Sequence, residues 1–117
     1  MGGKRLEIRS DILEKVTSEE AVAVTPHLCR IYMRLVNAPA QYWERENVLR
    51  FTGSAEGGRE VATAWEQLAQ FATVSPGVAR KALAWLNDQK VISLIASQEG
   101  KEISISFEGV SHSAKLR

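Results

Sequence analysis

TAWEQLAQFATVSPGVARKALAWLNDQKVISLI, residues 63–95, decides the fold, because two helix starts and a strand start follow one another within it. Thr63 with Glu66 three residues later is a capping box, in which a hydroxyl and a carboxylate satisfy the free amides of a helix start. Trp65, Leu68, Ala69, Phe71 and Ala72 then supply one apolar face over about ten residues. After a short turn at Thr73-Val74, Ser75 is placed to cap a second helix. Pro76 takes that helix's first position, where a missing N–H costs nothing. Val78, Ala79, Ala82, Leu83 and Leu86 form the inward stripe with Trp85 on its flank, and Gln89-Lys90 closes the helix. The continuation VISLIASQEGKEISISF, residues 91–107, alternates apolar and polar positions twice. Ile92 and Leu94 face one way, as do Ile103, Ile105 and Phe107. Ser97 to Lys101 read as a hairpin loop, with Gly100 supplying a positive φ.

Upstream, the signals are weaker. SDILEKVTSEE, residues 10–20, reads as one short helix capped by Ser10, with Ile12, Leu13 and Val16 on its apolar side. Thr25 is a potential cap with Pro26 beginning a longer helix, whose stripe is Leu28, Ile31, Tyr32, Leu35 and Val36. Ala38-Pro39 ends it, since the residue before proline avoids helical geometry. In QYWERENVLRFT, residues 41–52, one or two helical turns are expected through Asn47 and a short strand from Val48 to Thr52. Gly53, Gly57 and Gly58 mark a loop, and Arg59 to Ala62 read as a second short strand or an extended entry to the next helix.

Composition narrows the function classes. The 117 residues suit one domain, with 44% hydrophobic and 25% charged residues, an ordinary globular balance. No apolar run approaches the roughly 20 residues of a spanning helix, and Met1 to Arg9 lacks the apolar core of a secretory signal, so no membrane partner is expected. A single cysteine, Cys29, excludes an internal disulfide and fits a reducing, cytoplasmic setting as a packed thiol. With only His27 and His112 beside it, no spacing resembles a metal site. GSAEGGRE, residues 53–60, lacks the Lys-Ser/Thr of a phosphate loop, and there is no nucleophile elbow or Ser/His/Asp set. An enzyme, a cofactor and a small-molecule ligand are therefore not expected. The formal net charge is only +1, so any nucleic-acid role depends on how the cations are distributed.

Leu68-Ala69, Val74-Ser75, Ala82-Leu83, Leu86 and Val91-Ile92 fall at ungapped spacings that resemble the winged helix-turn-helix of bacterial DNA-binding proteins, of the replication-initiator and transcriptional-regulator type. The resemblance covers about a third of the chain, and RFTGSAEGGREVATAW, residues 50–65, is similar to the strand and loop that lead into such modules. It implies a mainly α protein with a small β-hairpin wing (α+β), in one domain. N-terminal helices would occupy about 10–37, the helix-turn-helix about 63–90, the wing about 91–107 and a flexible tail 108–117. The second helix would enter the major groove of double-stranded DNA with its N-terminal residues nearest the bases. By that likeness Ser75, Pro76, Gly77, Arg80, Lys81 and Ala84 would face DNA, with Lys101 at the wing tip. Arg80 would meet a guanine edge or a phosphate, Lys81 a phosphate. Two departures stand out: Thr73 and Lys90 occupy positions often held by glycine, and Pro76-Gly77 offers almost nothing to base edges. Affinity is then expected from phosphate contacts, in a homodimer or higher assembly, serving transcription regulation, DNA replication or plasmid maintenance.

Blander readings accompany each feature. Trp65, Trp85 and Phe71 suit core or flank packing. Tyr42-Trp43 suits either the core or a self-association patch. Arg30 and Arg34 suit a solvated helix face, with a contact to DNA or an acidic partner as the alternative, and Glu44, Glu46, Glu56 and Glu60, interleaved with Arg45, Arg50 and Arg59, suit an ordinary ion-paired surface. The same fold used for protein–protein contact is the alternative function, favoured by the near-zero net charge.

Overall fold

Along residues 6–97 and 101–112, which the computed structural model describes, the elements run β1 (Leu6–Ile8), α1 (Ser10–Val16), α2 (Glu19–Val24) and α3 (Leu28–Val36). A 3-10 turn (Ala40–Tyr42) leads to β2 (Trp43–Arg45), β3 (Val48–Phe51), β4 (Ser54–Glu56) and β5 (Arg59–Ala62). Then come α4 (Ala64–Ala72), α5 (Pro76–Asp88), β6 (Ile92–Ala96), β7 (Ile103–Phe107) and β8 (Val110–His112). The architecture is α+β: helices packed on one face of a four-stranded antiparallel sheet of order β2-β3-β7-β6.

The helix starts follow the local chemistry. Thr63 Oγ1 accepts from the Glu66 amide at 3.1 Å while Glu66 Oε1 accepts from the Thr63 amide at 2.9 Å, closing the capping box at the head of α4. Ser75 Oγ accepts from the Val78 amide at 3.3 Å, and Pro76 stands in the first turn of α5. Leu68, Ala69 and Ala72 of α4 and Ala79, Ala82, Leu83 and Leu86 of α5 are buried. The small alanines let the two helices approach closely, while each leucine contributes roughly 1.5–3 kcal/mol by leaving water.

The sheet's inner face follows period-two alternation. Ile103, Ile105 and Phe107 are buried and Ser104 and Ser106 are half-buried, so β7 presents three large side chains to the helices. Register adds their neighbours: Phe51 pairs with Ile103 and Leu49 with Ile105 on one side, Ala96 with Ile103 and Leu94 with Ile105 on the other. Leu28, Ile31, Tyr32, Leu35 and Val36 of α3 fill the remaining space.

The N-terminal third departs from expectation. Residues 10–20 are two helices: Thr17 Oγ1 donates to Leu13 O at 2.7 Å, the chain bends, and Ser18 caps α2 by accepting from the Ala21 amide at 3.2 Å. Ser10 is the first helical residue and makes no cap; Arg9 precedes it. The longer helix begins at Leu28, with Thr25 Oγ1 accepting from the His27 amide at 3.2 Å, so Pro26 lies in the turn ahead of it. Trp43–Arg45 is a strand where helical turns were expected, because it pairs with β3 through Trp43 and Leu49.

The segment around Ser54–Gly58, expected as a loop, is instead the first strand and turn of a hairpin, and Arg59–Ala62 is its second strand. Gly57 and Gly58 have φ of 59° and 80°, the two positive values that a two-residue turn matching strand twist requires. At its base, Gly53 leaves no room for a side chain, since a Cβ would stand 2.6 Å from Ala62 O. The expected tail is also shortened: Val110–His112 pairs antiparallel with Leu6–Ile8, and Arg9 N donates to Gly109 O at 2.8 Å. Gly2, Gly3, Gly100 and residues 113–117 lie outside the described residues.

Candidate functional site

The turn between α4 and α5 sets how the outer face of α5 is presented. Thr73 adopts φ 59°, ψ 45°, the left-handed conformation in which a β-branched residue is least comfortable. The turn is nevertheless tight: Thr73 N donates to Gln70 O at 3.2 Å and Val74 N to Ala69 O at 3.0 Å, a Schellman-type ending. Lys90, the second non-glycine at a glycine-type position, does the same at φ 62°, with Val91 N donating to Leu86 O at 3.0 Å.

Two arginines of α3 hold the Thr73 turn in place. Arg30 Nη1 donates to Ala72 O at 2.8 Å and also to Thr73 Oγ1, and Arg34 Nε donates to Phe71 O at 3.0 Å. Arg34 also lies over the Phe71 ring, 5.6 Å from its centroid. Cations at a helix C-terminus satisfy its orphan carbonyls and oppose its dipole. Arg30 and Arg34 are therefore not a merely solvated face. They clamp α4 onto α3, a role their spacing alone did not reveal.

Beyond the turn, Ser75, Pro76, Gly77, Arg80, Lys81 and Ala84 are all exposed. Helical spacing places Gly77, Arg80, Lys81 and Ala84 along one outer stripe of α5, with the exposed Asp88 at its far end. Neither Arg80 nor Lys81 makes an ion pair among the described residues. The Arg80 guanidinium lies over the Trp65 ring of α4, 5.2 Å from its centroid. Nothing lies within 4 Å of where a Cβ on Gly77 would stand, so the fold does not demand a glycine there.

At the tip of the β6–β7 hairpin, Ser97 Oγ accepts from the amides of Lys101 at 2.9 Å and Glu102 at 3.0 Å. Lys101 is thereby anchored through its backbone while its side chain is exposed. Glu102 pairs with Arg50 of β3 at 2.9 Å, and that hydrogen bond raises the Arg50 pKa. The free edge of β6 is partly covered, since Asn87 Oδ1 of α5 accepts from the Leu94 amide at 2.9 Å.

The Tyr42-Trp43 pair is turned largely inward. Tyr42 stacks at 5.1 Å from Phe51 and 5.2 Å from Phe71, and Trp43 lies 5.7 Å from Phe107 and donates Nε1–H to Ala38 O at 2.7 Å. Both remain half-buried, beside a shallow depression shared with Gln41, Glu44, Arg50, Thr52 and Gln67. Among the described residues no His, Cys, Asp and Glu gather into a metal-binding group, and no helix is long and apolar enough to cross a membrane. Compared with family models, curated proteins and solved structures, the chain finds no match.

Proposed function

We propose that this chain binds double-stranded DNA as a winged helix-turn-helix, with α5 as the recognition helix and the β6–β7 hairpin as the wing. The observation that carries the reading is a pair of exposed cations, Arg80 and Lys81, without ion-pair partners among the described residues, on the outer stripe of a helix braced from behind. Even in a protein whose net charge is only +1, two adjacent cations without ion-pair partners among the described residues on one stripe form a local field that phosphates would neutralise. The order helix, tight turn, helix, hairpin, with β3 added to the hairpin as a third strand, is what such a module requires. In this reading Arg80 meets a guanine edge or a phosphate, Lys81 a phosphate and Lys101 the flanking backbone. Ser75, Pro76, Gly77 and Ala84 allow close approach. Few side chains read bases, so two or more copies acting together supply useful affinity, in transcription regulation or replication.

A second reading, contact with protein, is favoured by the β4–β5 hairpin. Its residues 54–61 are exposed, and they carry Glu56, Glu60 and a Val61 that is 56% exposed. The two readings separate in one titration of a random duplex, followed by fluorescence anisotropy at low and moderate salt. With about 3–5 phosphate contacts per subunit, log affinity falls against log salt with a slope near −3 to −4.5. The double variant Arg80→Ala/Lys81→Ala flattens that slope by roughly 1–2. Binding indifferent both to salt and to the double change overturns the DNA reading.

A further inference from the structure

Arg80 is exposed, yet its guanidinium is not free to wander. It lies 5.2 Å over the indole of Trp65, a residue of the other helix of the pair. Trp65 is itself half-buried and packed against the core, so its ring is a fixed platform. The separation falls inside the range in which a cation is held by an aromatic face, and arginine is the cation most often found there. No carboxylate competes for Arg80, and its N–H donors have no acceptor among the described residues. The platform thus holds the group without using up the donors that would recognise a ligand. An arginine side chain swinging freely from a helix loses several rotatable bonds when it docks; one already resting on a ring loses fewer.

Resting on the DNA reading above, we propose that Trp65 is a positioning residue that pre-organises Arg80 for a paired acceptor of the duplex, either two phosphate oxygens or guanine O6 and N7. Trp65 touches no DNA in this role and acts through Arg80 alone.

The test is a double-mutant cycle on duplex affinity, using the full chain, with thermal melts confirming that each variant is folded at the assay temperature. Trp65→Leu keeps an apolar side chain but removes the π face, and is expected to weaken binding roughly two- to five-fold. Trp65→Phe, which restores a ring, recovers most of that loss. In an Arg80→Ala background, Trp65→Leu has no further effect. If Trp65→Leu weakens binding equally with and without Arg80, the residue acts through the fold and the positioning role is overturned. If Arg80→Ala weakens binding while Trp65→Leu does not, the positioning role again falls and the DNA reading survives. If Arg80→Ala itself changes nothing, the positioning role falls, and the DNA reading is decided separately by the salt titration of the Arg80→Ala/Lys81→Ala variant. Comparing duplex pools then identifies the acceptor: an equal loss on every sequence marks phosphate, and lost preference at one guanine marks a base edge.

Discussion

Replacing Tyr32 by phenylalanine should stabilise this protein. Tyr32 is 0% exposed, its ring meets Phe107 edge-on at 6.0 Å, and its hydroxyl has no hydrogen-bond partner among the described residues. A buried polar group without a partner costs about 1–3 kcal/mol of desolvation, and phenylalanine removes the group while keeping the ring. Allowing for slight loss of packing, Tyr32→Phe should gain about 1 kcal/mol, or about 3–5 °C in melting temperature for a chain of this size. Alkali provides a second, independent readout. Burial raises the phenol pKa from 10.0 to about 12. The folded state therefore holds its proton where the unfolded state releases it, and the associated stability is full below pH 10 and is lost as pH rises toward about 12. At about 1.4 kcal/mol per pKa unit, the wild type should shed on the order of 2–3 kcal/mol over that window beyond what the variant sheds. Urea melts at neutral pH and across pH 9–12 measure both. A variant less stable than wild type by more than about 0.5 kcal/mol at neutral pH, or an alkaline decline unchanged by the substitution, would falsify the assignment of a stranded hydroxyl.

Lys90→Gly should raise stability by about 0.5–1 kcal/mol, the relief of a left-handed side chain less the extra freedom glycine gains on unfolding. Thr73→Gly should gain less, because it also deletes the hydroxyl that Arg30 engages. Equal shifts in denaturant midpoint would mean that this contact is idle. Gly77→Ala, in the first turn of α5 with open space around it, should stabilise by about 0.5–1 kcal/mol. On the proposed reading the added methyl also holds a duplex away, so affinity should fall as stability rises; unchanged affinity would show that the duplex does not come close at this position.

What could be read from the sequence was what is encoded within a few residues. Thr63 with Glu66, Ser75 with Pro76, and the alternation Ile103, Ile105, Phe107 each state their structure locally, and each holds in three dimensions. The N-terminal third offers competing local signals: Ser10 and Ser18 are both of a residue type that favours helix caps, yet only Ser18 caps a helix, and the bond from Thr17 back to Leu13 O, which accompanies the bend between α1 and α2, has no signature in the pattern. Pairings between distant segments were invisible altogether. Nothing near Leu6 announces Val110–His112, and nothing near Trp43 announces that Leu49 will stand opposite. The site divides the same way. The exposed stripe of α5 follows from helical period, whereas the Arg30 and Arg34 clamp and the Trp65 platform beneath Arg80 arise only when separate helices meet.

The β1–β8 ribbon has a mechanical consequence. Leu6 lies opposite His112 and Ile8 opposite Val110, so the chain enters and leaves the ribbon at the same end. Tension applied between those two points peels the strands apart one rung at a time instead of loading every rung at once. Stretched this way the molecule yields first at its seam, and the helix pair that bears Arg80 keeps its shape while the seam opens.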